Sequence, residues 1–134
     1  MKYNKRMKTI IVIARLAEWK KAEQTGQYTQ STIDSTLAEV GFLHCSFPDQ
    51  TIEIANRKYA DQNDLLVVCI DAAKVTAPIQ YEGAVSGRAG TFPHIYGPLN
   101  VDAAYATAPL KKNDTGAFVA PEILQEALHS NSAS

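Results

Sequence analysis

At 134 residues, with 46% hydrophobic and 20% charged side chains and a formal net charge of -1, the chain has room for one domain and too little for two. That near-neutral balance excludes a protein whose main work is neutralising phosphate backbones, and no basic stripe interleaved with aromatics points to nucleic acid. Cys45 and Cys69 lie in apolar runs without CxxC spacing, which predicts buried, reduced thiols of a cytoplasmic protein rather than a disulfide framework.

The first eight residues, MKYNKRMK, are basic, and the apolar run behind them, Ile10 to Ala14, has five residues. A secretory apolar region needs about 7–15 residues and a membrane span about 20, so the sequence predicts neither, and no membrane partner. Met7 offers a second start, which would make residues 1–6 a dispensable leader. TIIVIA (9–14) is β-branched and predicts a buried strand. From Arg15 the pattern turns helical, with Leu16, Trp19 and Glu23 at three- and four-residue steps and Gly26 as the stop. Residues 27–40 are polar and rich in Thr and Ser, predicting loop with one short helical turn around 33–38.

GFLHCS (41–46) predicts the next strand, and its alternation sorts the side chains. Leu43, Cys45 and Phe47 share a core face; Phe42, His44 and Ser46 share the other. Ser46 also opens SFPD, a Ser-x-x-Asp capping pattern with Pro48 in the first turn, before an apolar stripe at Ile52, Ala55 and Tyr59. DLLVVCID (64–71) predicts a central strand covered on both faces. APIQYE (77–82) is a further strand, and GAVSGRAG (83–90), with three glycines, predicts a mobile loop that could close over a ligand. In FPHIYGPL (92–99) two prolines and Gly97 predict rigid, irregular backbone displaying His94 and Tyr96. A last strand at 100–110, a turn at 111–116, a short helix at 121–129 and a frayed tail at 130–134 complete the chain. Four or five strands and two or three helices without regular βαβ alternation predict an α+β domain.

Two roles fit His44: a partly buried ring satisfied by a backbone carbonyl, or a ligand contact beside the unpaired N–H groups of the helix that Ser46 would cap. Glu82 at a strand end is either a solvated carboxylate or part of the same site. No Walker or dinucleotide glycine fingerprint occurs. A zinc site from His44, Cys45, Cys69 and His94 fails because His44 and Cys45 point to opposite faces and no pair has ligand spacing. The same face argument tells against a Cys45–His94 nucleophilic dyad.

Taken in order, Glu18–Trp19, GFLHCS, ANRKY (55–59), the strand ending Ile70–Asp71, the strand ending Glu82 and FPHIYGPL resemble a small bacterial family catalogued as domain of unknown function 952. The resemblance spans about residues 9–110, leaving 1–8 as a basic leader and 111–134 as a C-terminal extension. It implies a split-sheet fold similar to the ADP-ribosyltransferases and their RNA 2′-phosphotransferase branch, with NAD bound in a cleft between two small sheets. On that resemblance, His44 and Ser46 line the nucleotide pocket, Glu82 engages a ribose 2′-hydroxyl, and His94, Tyr96 and Gly97 close the far wall. Glu82 and His44 become the catalytic candidates, NAD the substrate, and no metal is expected. The implied function is an NAD-using transferase or glycohydrolase; the alternative is a non-catalytic module for a nucleotide or phosphorylated metabolite. Two positions depart from the family pattern: Val12, where relatives carry His or Lys, and Arg88, where they carry an acidic or neutral residue.

Overall fold

The computed structural model describes residues 8–83 and 90–133. Its first sheet is organised by β4 (Leu65–Asp71), every residue of which is buried. β1 (Thr9–Arg15) pairs antiparallel along one side of β4, from Thr9 opposite Asp71 to Arg15 opposite Leu65. β8 (Ala104–Pro109) pairs along the other, with a register shift between Cys69 and Ile70. Alternation sends Leu66, Val68 and Ile70 to one face with Ile10, Val12 and Ala14, and Leu65, Val67 and Cys69 to the other with Ile11. Both faces carry apolar cores, which is why this run is continuous rather than alternating.

Between β1 and β4 the chain forms α1 (Leu16–Thr25), ended by Gly26 in the left-handed region at φ 89°. The polar stretch after it is more ordered than its composition suggests. β2 (Gln27–Tyr28) pairs with β7 (Leu99–Asn100). The helical turn is α2 (Leu37–Val40), later than the expected 33–38, because Thr36 and Glu39 form a capping box that fixes its start. α3 (Thr51–Lys58) and α4 (Glu122–Ala133) bring Ala55, Leu124 and Ala127 onto the second face of the first sheet. α4 continues through Ala133, so the helix extends beyond the expected 121–129. Ser and Asn cost a helix only tenths of a kcal/mol each, roughly, once its buried residues anchor it. The expected turn at 111–116 is a small hairpin, β9 (Lys111–Lys112) with β10 (Phe118–Val119). Its loop is held by the Asn113 carboxamide, which accepts from the Thr115 and Ala117 backbone N–H groups.

The second sheet has the order β3 (Leu43–His44), β6 (Thr91–Ile95), β5 (Ile79–Gly83), all antiparallel. Leu43 and Ile95 face the first sheet and pack with Val12 and Val68 in one cluster. Residues 91–95 are therefore regular strand, not the irregular backbone expected from the prolines. Pro93 fits this middle strand because its carbonyl, which accepts from Cys45 N, points toward β3. Its missing N–H lies on that same side, just past the end of β3, and the ladder to β5 is untouched. Two bonds join the sheets: Ile11 N–H to Ser46 O at 2.7 Å and Ser46 N–H to Ile11 O at 2.9 Å.

Together these elements make a small mixed α and β domain in which every described strand pairing is antiparallel. Positions 84–89 of the glycine-rich segment, Arg88 among them, and residues 1–7 lie outside the described residues. No described helix is long and apolar enough to cross a membrane.

Candidate functional site

The register of the second sheet assembles the site. His44 on β3 sits opposite His94 on β6, which sits opposite Gln80 on β5. Alternation along each strand then places Phe42, His44, His94, Tyr96 and Glu82 on the face turned away from Leu43, Cys45 and Ile95. The two imidazole centroids are 5.4 Å apart at 66°. Phe42 stacks on His94 at 4.3 Å and lies 4.9 Å from His44 and 5.2 Å from Tyr96. Apolar contact of this kind is what lets His94 be only 3% exposed.

An imidazole withdrawn from water, wholly as His94 or in part as His44, needs partners, and both rings have one at Nδ1. Glu82 Oε1 lies 2.7 Å from His94 Nδ1, and the Tyr96 hydroxyl donates to the same oxygen at 2.7 Å. The His94 hydrogen bond, then that of Tyr96, holds the Glu82 carboxyl below its ordinary range. The Tyr96 phenol is pushed up, first by its bond to Glu82. An ionised carboxylate only accepts, so His94 donates from Nδ1. At His44 the partner is Ser31 Oγ, 2.9 Å from Nδ1. Ser31 Oγ donates its single proton to Phe42 O at 2.5 Å, and a carbonyl can only accept. His44 therefore donates from Nδ1 as well. In the neutral His44 ring the lone pair is therefore on Nε2.

Burial pushes the His44 pKa down to about 4, helped by the His94 ring and the Lys58 charge; a backbone hydrogen bond to Ser31 works in the opposite sense. His44 is thus neutral at neutral pH. The site offers one uncharged acceptor nitrogen at His44, an ionised carboxylate and an aromatic wall. Among the described residues no group of three or more His, Cys, Asp and Glu is placed to hold a metal ion.

Four of the expected site residues, His44, His94, Glu82 and Tyr96, meet here. Two do not. Ser46 is buried, and its hydroxyl bonds Thr51 Oγ1 at 2.9 Å. Nor is it a helix cap: the 3-10 turn at Pro48–Gln50 follows Phe47, whose N–H donates to the Gln50 side chain, and α3 starts after Gln50 without a side-chain cap. The backbone bridge to Ile11 draws Ser46 inward, overriding simple alternation. Gly97, at φ 155°, is needed for packing: a Cβ there would stand 2.8 Å from Ala77 Cβ. Alternation in GFLHCS already puts Phe42 on the face of His44, so its part was readable. Ser31 was not, since nothing in a polar Ser/Thr-rich stretch marks one serine as the partner of a histidine 13 positions later.

Residues 13–107 match the family model described as "Protein of unknown function (DUF952)". Among solved structures, the chain is similar to the X-ray structure of protein CC0527 from Caulobacter crescentus. The TM-score is 0.74 and the identity 29%, over 87% of this chain and 98% of that one. The solution NMR structure of CC0527 matches at a TM-score of 0.69 and 29% identity, over 90% and 97% of the two chains. Among curated proteins there is no match.

Proposed function

The chain belongs to the DUF952 family, and from that premise we propose that it is an NAD-using transferase or glycohydrolase of ADP-ribosyltransferase type. The observation that carries the proposal is the cross-strand His44–His94 pair, with both Nδ1 atoms anchored and Glu82 and Tyr96 alongside. A pair of three-stranded antiparallel sheets supports a split-sheet reading. Apolar side chains fill the interval between them, so the nucleotide would lie against the histidine face of the second sheet.

In this reaction the bond from nicotinamide nitrogen to ribose C1′ breaks, and its electron pair leaves with nicotinamide. The sugar gains oxocarbenium character, which the Glu82 carboxylate stabilises from close range. Water or an acceptor hydroxyl forms the new bond to C1′. His44, with a pKa near 4, is a hydrogen-bond acceptor for the nucleotide rather than a store for a proton. The proton of the attacking group passes to His94 Nε2, where Glu82 at 2.7 Å stabilises the resulting imidazolium. Phe42 and Tyr96 offer the flat surface on which a base or nicotinamide ring stacks.

Nicotinamide release from NAD by the purified protein tests this. Release should occur with the wild type and fall by ~10²-fold or more in Glu82→Gln, the scale for removing one preorganised electrostatic group. Equal release from both proteins would overturn the role given to Glu82. NAD, ADP-ribose or a nucleoside phosphate should also raise the melting temperature, since a ligand at a hundredfold excess over Kd adds about 2.7 kcal/mol.

A second function, a non-catalytic nucleotide or phosphorylated-metabolite module, is favoured by two observations. Glu82 Oε1 already takes two hydrogen bonds, and Val12 is aliphatic and buried in the core between the sheets. A thermal shift without any nicotinamide release would select it.

A further inference from the structure

We propose that Ser31 is the positioning residue of this site, fixing His44 as the Nδ1–H tautomer so that Nε2 presents its lone pair to the ligand. The proposal rests on the histidine face being the ligand site, as above, but not on which reaction occurs there.

The geometry leaves one proton arrangement. Ser31 Oγ has one proton and two polar neighbours, Phe42 O at 2.5 Å and His44 Nδ1 at 2.9 Å. Only the imidazole nitrogen can reverse its role, so the carbonyl takes the serine proton and the ring supplies the second. Ser31 is buried, which keeps water from replacing either partner. At His94 the acceptor facing Nδ1 is a different group, the ionised Glu82. A carboxylate beside His44 would have favoured a charged ring; a serine orients the ring without adding charge.

The loop bearing Ser31 is built to hold still. The Gln30 carboxamide donates to the carbonyls of Thr32, Ile33 and Ser35 at 2.8, 3.4 and 3.1 Å. Ser31 N–H donates to Ser35 O at 2.8 Å, and Leu37 N–H to Thr29 O at 2.8 Å. Gln30 pairs with Thr36, whose capping box with Glu39 fixes the exit into α2. A loop locked at its start, middle and exit delivers one hydroxyl to one ring nitrogen. Were Ser31 only a stitch between this loop and Phe42 O, or were its backbone carbonyl enough to hold the ring, the His44 tautomer would not depend on the hydroxyl.

Nitrogen-15 NMR of the imidazole rings at neutral pH separates the two roles without needing any substrate. In a free histidine side chain the Nε2–H tautomer predominates. The wild type should show Nδ1–H at both His44 and His94. In Ser31→Ala the Nε2 resonance of His44 should move from the pyridine-like toward the pyrrole-like range, with His94 unchanged as the internal reference. Ser31→Thr, which keeps the hydroxyl, should restore the wild-type pattern. Should Ser31→Ala fail to give a dispersed spectrum, Ser31→Cys, a far weaker acceptor, should show the same displacement. Nε2–H at His44 in the wild type, or retained Nδ1–H in the folded Ala or Cys protein, would overturn the proposal. Because the tautomer is read in the free protein, a missing nicotinamide signal bears on the proposed reaction alone.

Discussion

His44 and His94 face each other across two neighbouring strands, yet the two rings are held by chemically different partners, a serine hydroxyl and a carboxylate. The difference has a pH signature at His44. Its folded pKa is about 4 against an ordinary 6.5, so the unfolded chain takes up the proton first. The stability linked to this ring is present above pH 6.5 and is lost as pH falls toward 4. Allowing for solvent screening of a half-exposed ring, the loss should be on the order of 1–2 kcal/mol. Urea unfolding between neutral pH and pH 4 should show a shallower decline for His44→Gln than for the wild type. Parallel curves would contradict the depressed pKa.

Ser46→Ala should destabilise the protein without touching the site. The Ser46 hydroxyl donates to Thr51 Oγ1, which in turn donates to Phe47 O at 3.0 Å. Truncation removes the first bond, worth about 1 kcal/mol, and leaves the second. Denaturant midpoints should fall accordingly, while the NAD-induced thermal shift stays that of the wild type. A lost shift would restore Ser46 to the ligand site.

How much of this was legible depended on whether one element carried the signal. Within GFLHCS, period-two alternation was enough to send Leu43 and Cys45 inward and His44 outward. Residues 64–71 announced a doubly covered strand by having no polar face. At Ser46 local alternation failed, because pairing with Ile11, 35 positions earlier, decides where the side chain goes. At 92–96 the prolines argued against regular strand, and only the position of Pro93 relative to the end of β3 removes the conflict. Ser31 belongs to a third kind. Its partner is set by two elements meeting in space, and no pattern within its own segment encodes it.

Gly97 is fixed by a neighbour rather than by a ligand. Gly97→Ala would put a Cβ at 2.8 Å from Ala77 Cβ in a backbone region that side chains rarely adopt. The expected cost is ~2 kcal/mol, in the range for overpacking. Ala77→Gly introduced alongside should recover part of it, the steric share, and leave the backbone share. Strict additivity in the double-mutant cycle would mean that the contact is not the cause.

Tyr96→Phe should act on Glu82 rather than on the fold. The phenol is one of two donors to Glu82 Oε1, and both help hold the carboxyl below its ordinary range. Removing the smaller contributor leaves the His94 bond in place. The carboxyl should therefore titrate higher in Tyr96→Phe than in the wild type, by carbon-13 NMR, while remaining below an unpartnered glutamate. The Tyr96 side chain is exposed, so the denaturant midpoint should barely move. In the nicotinamide assay the loss should be smaller than the ~10²-fold expected for Glu82→Gln, because charge is retained and only its orientation loosens. A Tyr96→Phe protein as impaired as Glu82→Gln would mean that the phenol itself meets the reacting groups.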